Sequence, residues 1–238
     1  RRYLADPSAL ALVGWIEFSD GRQPVLKLAP IDIASELEEY LWTKRVAVLT
    51  SATLPVNIVE RLGLSELNPR LKTVDSPFDY ENQTFLYCPT HLPDPANDHE
   101  AWMAAVHKEL ASLLTAAGGR TLALFTSYES LNAARDYLSS HVDLPVLCQG
   151  EMPERRLIEK FAATSEVSLL ATRRFWQGID VPGQTLSLVV IDRIPFPSPS
   201  EHLVKARSVA ANPLGWWKVE LPIGATRLAQ GAGRLIRR

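Results

Sequence analysis

Residues Gln230 to Arg238 read Gln-Gly-Ala-Gly-Arg-Leu-Ile-Arg-Arg, a run that fits the spacing Gln-x-x-Gly-Arg-x-x-Arg. On a helix, Gln230, Arg234 and Arg237 fall on one face, because positions three and four apart are neighbours. Two guanidinium groups on one face can grip a phosphate, since each offers a planar fork of donors. Gly233, between Gln230 and Arg234, lets another backbone approach closely. The competing reading is a basic helix end, because arginine is favoured at helix C-termini.

A second stretch carries related chemistry. Val167 to Ala171 reads as a buried strand, followed by Thr172, Arg173, Arg174, Phe175, Trp176, Gln177, Gly178 and Asp180. In parallel α/β sheets, ligands gather at the carboxyl ends of strands. This loop suits a nucleic-acid backbone, although Phe175 and Trp176 read equally well as core packing. Two further apolar runs end in hydroxyls. Val46 to Leu49 leads into Thr50, Ser51, Ala52 and Thr53, and Leu122 to Phe125 leads into Thr126, Ser127 and Tyr128. Taken alone, a Thr-Ser pair at a strand end is more often a helix cap.

In this order, the four stretches resemble motifs III, IV, V and VI of superfamily 2 helicases of the DinG and XPD-like group. Phe-Trp-Gln-Gly-Ile-Asp-Val-Pro-Gly, from Phe175 to Gly183, is the most characteristic of them. That group usually has Glu where Gln177 stands, which removes any acid role from this position. The resemblance implies that Arg234 and Arg237 reach the γ-phosphate of ATP and are the catalytic residues. Gln230, Gly233, Gly178 and Asp180 would serve the nucleotide side. Thr126, Ser127, Tyr128, Gln149, Gly150, Thr172, Arg173 and Phe175 would contact single-stranded DNA through its backbone and bases. Thr50, Ser51, Ala52 and Thr53 would couple the two sites.

The resemblance also implies a fold, cofactors and partners. The fold class is α/β, a RecA-like parallel sheet flanked by helices, of the kind that forms the second domain of a helicase motor. The cofactors are ATP and Mg2+, held mainly by a first motor domain. The sequence has no Gly-x-x-x-x-Gly-Lys-Ser/Thr loop to cradle phosphates, and no Asp-Glu-x-His box for magnesium. The expectation is therefore the C-terminal motor portion of a longer helicase. Its partners are single-stranded DNA and helicase domain 1 of the same chain. The longer protein would translocate on single-stranded DNA and unwind duplex, in repair or replication. The alternative is a non-catalytic RecA-like module for nucleic-acid binding or regulation, against which the intact Arg234 and Arg237 argue.

Composition bounds these readings. The chain has 238 residues, of which 46% are hydrophobic and 22% charged, with a net charge of −2. Charge is unevenly placed. Residues 1–150 carry 12 basic and 19 acidic side chains, and residues 151–238 carry 13 and 8. The basic excess thus falls on motifs V and VI, the sign expected for binding phosphate. Cys88 and Cys148 form no Cys-x-x-Cys pair, so no zinc or iron–sulfur ligand set is offered here and none is expected as a metal site. Many XPD-like helicases carry an iron–sulfur cluster in the first helicase domain, and the sequence leaves that question open for the longer protein. No run of about 20 apolar residues exists to span a membrane, and a cytoplasmic location is expected.

The elements that must position these residues follow from periodicity and caps. Strands are expected at 25–28, 46–50, 84–88, 121–125, 145–148, 167–171 and 186–191. Helices are expected at about 32–42, 55–62, 98–117, 128–140, 153–163, 200–211 and 222–237. Strands separated by helices of this length mean parallel crossovers. The expected division places motif III in residues 1–62, contacting or continuing from domain 1, and motifs IV to VI in residues 63–238. Because the phosphate loop is lacking, the chain alone is expected not to hydrolyse ATP. In a steady-state assay with saturating single-stranded DNA, turnover should stay below about 1 per second, the low end of working enzymes.

Overall fold

Thr121-Leu-Ala-Leu-Phe125 and Ser168-Leu-Leu-Ala-Thr172 are apolar without alternation, and strands of that kind are covered on both faces. The computed structural model describes residues 12–18, 23–55, 57–172, 175 and 186–235, and both runs lie in a four-stranded sheet with every residue buried. In chain order the elements are β1 (Leu12–Glu17), β2 (Val25–Pro30), α1 (Ala34–Leu37), α2 (Ile58–Arg61), α3 (Tyr80–Gln83), α4 (His99–Ala116), β3 (Thr121–Phe125), α5 (Tyr128–His141), β4 (Val146–Cys148), α6 (Glu154–Ala163), β5 (Ser168–Thr172), β6 (Leu188–Ile191), α7 (His202–Ala210) and α8 (Leu221–Ala232). Short π-helical turns, Glu38–Trp42 and Trp216–Glu220, extend α1 and lead into α8. The chain falls into two compact units, residues 1–73 with 195–227, and residues 74–194 with 228–238. The division expected at residue 62 followed the motifs, whereas these units follow packing.

The second unit holds the parallel sheet, in the order β4-β5-β3-β6. Thr121 pairs with Ser168 on one side of β3 and with Leu188 on the other. Side chains alternate across the sheet, so each face has its own core. Leu122, Leu124, Leu169 and Ala171 meet Leu157 and Phe161 of α6 on one face. Ala123, Phe125 and Leu170 meet α4 and α5 on the other, through Leu114, Leu131 and Leu138. This is a RecA-like α/β layer arrangement, as the strand and helix alternation implied.

Local signals explain the helix boundaries. The Asp98 carboxylate accepts the Ala101 N–H at 2.9 Å and starts α4. Gly118 and Gly119 end it with φ of +61° and +82°. A Cβ on Gly119 would sit 2.5 Å from the Glu166 carbonyl carbon, so only glycine fits there. Ser127 caps α5 by accepting the Ser130 N–H at 3.1 Å.

The first unit is built around the antiparallel β1–β2 pair, which joins Leu12 to Pro30 and Glu17 to Val25. Cross-links at long sequence separation tie the N-terminal part to residues 195–227. Arg207 Nε donates to the Ile31 carbonyl at 2.7 Å, and Asn57 Nδ2 donates to the Lys218 carbonyl at 3.1 Å. Arg227 grips Glu201 with both terminal nitrogens, at 2.8 and 3.3 Å. Among the described residues no helix is long and apolar enough to cross a membrane.

Three expectations are corrected. Residues 46–50 and 84–88 carry strand patterns yet form no strand. Val46 is 101% exposed, Val48 87% and Phe85 86%. A strand needs a neighbour to satisfy its N–H and C=O groups, and neither run has one among the described residues. The helix expected over 222–237 ends at Ala232. Beyond it Arg234 N–H bonds the Gly231 carbonyl at 3.1 Å, a tightened turn. Because Phe161 is 0% exposed and central to its core, Phe161→Ala should cost about 3–5 kcal/mol, read as a lower midpoint in urea unfolding.

Candidate functional site

All four sheet strands are parallel, so their carboxyl ends share one edge. That edge gathers Thr126, Ser127 and Tyr128 after β3, Gln149 and Gly150 after β4, Thr172 at the end of β5, and Asp192 after β6. Motif IV, the β4 loop and the start of motif V are thus brought together, as the sequence implied.

Gln149 ties this edge. Its Oε1 accepts the Thr172 N–H at 2.6 Å and the Thr172 hydroxyl at 2.8 Å. Its Nε2 donates to the Tyr128 hydroxyl oxygen at 2.7 Å. One side chain therefore links the ends of three strands. Sequence reasoning offered Gln149 as a DNA contact; the structure shows it as a brace between neighbouring loops.

Asp192, just after β6, is a second brace. Its carboxylate accepts the Thr126 N–H at 3.0 Å and the Thr126 hydroxyl at 3.3 Å. Its side chain is 6% exposed, and Arg193 Nε stands 3.9 Å away. Burial pushes the Asp192 carboxyl up to about 6, against the Arg193 charge and the Thr126 hydrogen bonds, which pull it down. The Arg193 guanidinium in turn lies over the Trp102 ring, 4.9 Å from its centre. A carboxylate just after a half-buried apolar strand, beside an arginine, was the available signal for this site.

Counting donors decides which of these residues face outward. Phosphate oxygens only accept, so a phosphate contact needs an N–H or O–H directed at it. The two donors of Thr126 are aimed at Asp192, and the two of Thr172 at Gln149. The Ser127 hydroxyl donates to Ser130 Oγ at 3.0 Å. The Tyr128 hydroxyl accepts from Gln149, which leaves its own proton for an outside acceptor, and its side chain is well exposed. Gly150 has φ of +105° and open space where a side chain would be.

The remaining candidates separate clearly. Phe175 is 1% exposed and belongs to the same core cluster as Phe161, so its ring is taken up by the core and is not free to stack on a base. Leu235 packs on that cluster, which anchors the end of motif VI to the second unit. Gln230 and Arg234 are half-buried and Gly233 is exposed. Gly233 N–H bonds the Ala229 carbonyl at 2.9 Å. Thr50, Ser51 and Ala52 are exposed, and the Ser51 hydroxyl accepts the Thr53 N–H at 3.1 Å. Arg173, Trp176, Gln177, Gly178, Asp180 and Arg237 lie outside the described residues. The cysteines are both free; burial pushes the Cys148 thiol up to about 11, which keeps it protonated and unreactive.

A parallel α/β core with a braced strand-end edge, running into an arginine-bearing glycine turn, is the architecture of a helicase motor domain. Residues 110–238 match the model of the helicase C-terminal domain, and the chain belongs to that family. Among its relatives, the ATP-dependent helicase DinG of Mycobacterium tuberculosis is 41% identical over 238 residues, covering 95% of this chain and 36% of the relative. The ATP-dependent DNA helicase YoaA of Escherichia coli is 36% identical over 232 residues, covering 94% of this chain and 36% of the relative. The protein of Bacillus subtilis named 3'-5' exonuclease DinG is 31% identical over 221 residues, covering 84% of this chain and 23% of its own. The chain thus spans about a third of the length of the first two relatives.

The raised Asp192 carboxyl gives a signed expectation. Below its ordinary value of 3.8 the group is neutral whether the chain is folded or not. Between there and about 6 the folded chain keeps a proton that the unfolded chain has lost, so stability falls as pH rises. Asp192→Asn should flatten this slope and, at pH 7.5, stabilise the second unit by about 1–3 kcal/mol. Thermal melting of both forms across pH 4 to 8 checks it.

Proposed function

We propose that this chain is the second motor domain, with an attached motif III segment, of an ATP-dependent DNA helicase. The longer protein moves along single-stranded DNA and unwinds duplex, in DNA repair or replication. The single observation that carries the reading is the Gln149 bridge, which couples motif IV, the β4 loop and motif V along the edge where a strand would lie. The names of the Mycobacterium and Escherichia relatives support ATP and DNA as its reactants.

Roles divide by which donors face outward. Tyr128 and Gly150, with Arg173 of motif V, make the phosphate contacts, while the Ser127 hydroxyl stays with Ser130 as the cap of α5. Thr126, Thr172 and Gln149 hold those loops in place. Contacts of this kind are nearly blind to base sequence. Residues 63–238 form the motor domain and residues 1–62 contact or continue domain 1. The exposed, strand-patterned Val46 and Val48 support that assignment, because their sheet partner is not among the described residues. Thr50 to Thr53 then couple the DNA path to the nucleotide.

The residues present fit the phosphates of ATP, since Arg234 follows a glycine turn that another domain can approach. ATP and Mg2+ are held mainly by domain 1 in this reading. Bound ATP supplies the free energy of phosphoryl transfer. Arg234 and Arg237 face the developing phosphoryl charge, a contribution worth about a thousandfold or more in rate. Gln230, Gly233, Gly178 and Asp180 link that turn to motif V.

The test uses the complete helicase. Arg237→Ala and Arg234→Ala should each lower ATP turnover about a thousandfold while a fluorescent ATP analogue still binds. Arg173→Ala should weaken single-stranded DNA binding evenly across base sequences and reduce the log–log salt slope by about one. Normal turnover in the Arg237 variant overturns the arginine assignment. An unchanged salt slope with a lowered melting temperature would mean that Arg173 holds the fold and not the strand.

A further inference from the structure

The first unit contains a cavity of about 350 Å³ that the motor reading does not use. Its walls come from the segment around Ile31, from α2, from the end of α7 and from the π-helical turn before α8. Ile31, Ile33, Ile58, Leu62 and Val219 supply apolar lining.

The lining is also cationic. Arg61, Arg207 and Lys218 line the cavity, and none of the three has an ion pair among the described residues. Arg207 is half-buried, and its Nε bond to the Ile31 carbonyl fixes its direction. Burial and the neighbouring Arg61 charge both lower its proton affinity, and Asp32 only partly offsets them. Two carboxylates also line the site. Asp32 is engaged in capping the Ala34 N–H at 2.9 Å, and Glu60 is solvent-exposed. The cavity lining thus holds three cations against two anions. Two like charges brought together destabilise the free state to the extent that neighbouring carboxylates leave them uncompensated.

We propose that this cavity binds a small organic anion, its phosphate or carboxylate head between Arg61 and Arg207 and its apolar body against Ile33, Ile58 and Val219. The guanidinium forks match the head, and the bound anion relieves their mutual repulsion. Pockets of this volume with an apolar wall and a few polar groups hold ligands of that size. The cavity is lined wholly by residues of the first unit, whereas the strand-end residues belong to the second.

Isothermal titration calorimetry of the full chain tests this with phenyl phosphate, inorganic phosphate and benzyl alcohol as separate probes. Phenyl phosphate should bind with a dissociation constant below about 1 mM, and each of the other two at least about tenfold more weakly. Arg61→Gln should weaken phenyl phosphate by about tenfold or more, yet leave the free chain as stable as before or more so, because a repulsion has been removed. Arg61 is exposed, so this variant folds even if the Arg207→Gln companion does not. No binding of phenyl phosphate, or binding that Arg61→Gln leaves unchanged, overturns the proposal. Inorganic phosphate binding as tightly as phenyl phosphate overturns it too, since the apolar wall then contributes nothing. Loss of stability in Arg61→Gln would mark the arginine as a structural residue and overturn its role as an anion ligand.

Discussion

The parallel pairing of β3 between β5 and β6 is the constraint on which the second unit depends. It aligns Thr121 with Ser168 and Leu188 and so brings the three carboxyl ends level. With β4 joined to β5 in the same sense, the loops that carry hydroxyls, an amide and a carboxylate emerge side by side. A register slip of one residue would turn every buried leucine to the opposite face. The two separate cores, one under α6 and one under α4 and α5, hold the register in place.

On that edge, two acceptors organise the donors. Gln149 and Asp192 each take one backbone N–H and one hydroxyl from a single threonine. Both braces hold their loops by hydrogen bonds that would otherwise be made to water or ligand. The arrangement trades ligand-binding capacity at Thr126 and Thr172 for loop geometry, and shifts contact to the neighbouring Tyr128. Asp192 carries an electrostatic strain as well, because its carboxylate is almost out of water and only partly compensated by Arg193.

The first unit is held together differently. Its cross-links are single side chains reaching across the chain: Arg207 to Ile31, Asn57 to Lys218, and Arg227 to Glu201. Large apolar side chains such as Ile16, Leu26, Tyr40 and Trp217 remain exposed around it. Polar ties can specify which segments meet, but they add little net stability compared with a buried core. Its cationic cavity is a product of this construction, since the arginines come from segments far apart in sequence.

The sequence by itself determined the alternation of strands and helices from 98 to 191, because continuous apolar runs, an Asp or Ser cap and a Gly-Gly stop act within a few residues. It determined equally the helicase motifs, whose residue types and order are local facts. Tertiary structure decided what depends on a partner. Residues 46–50 and 84–88 have the pattern of strands but no neighbour among the described residues, so they stay exposed. Phe175 has the chemistry to stack on a base, yet the core cluster around Phe161 takes its ring. Gln149 and Asp192 acquire their roles only when four strand ends lie level. A side chain's type is written in the chain, but the direction of its hydrogen bonds is set by what the fold places opposite it.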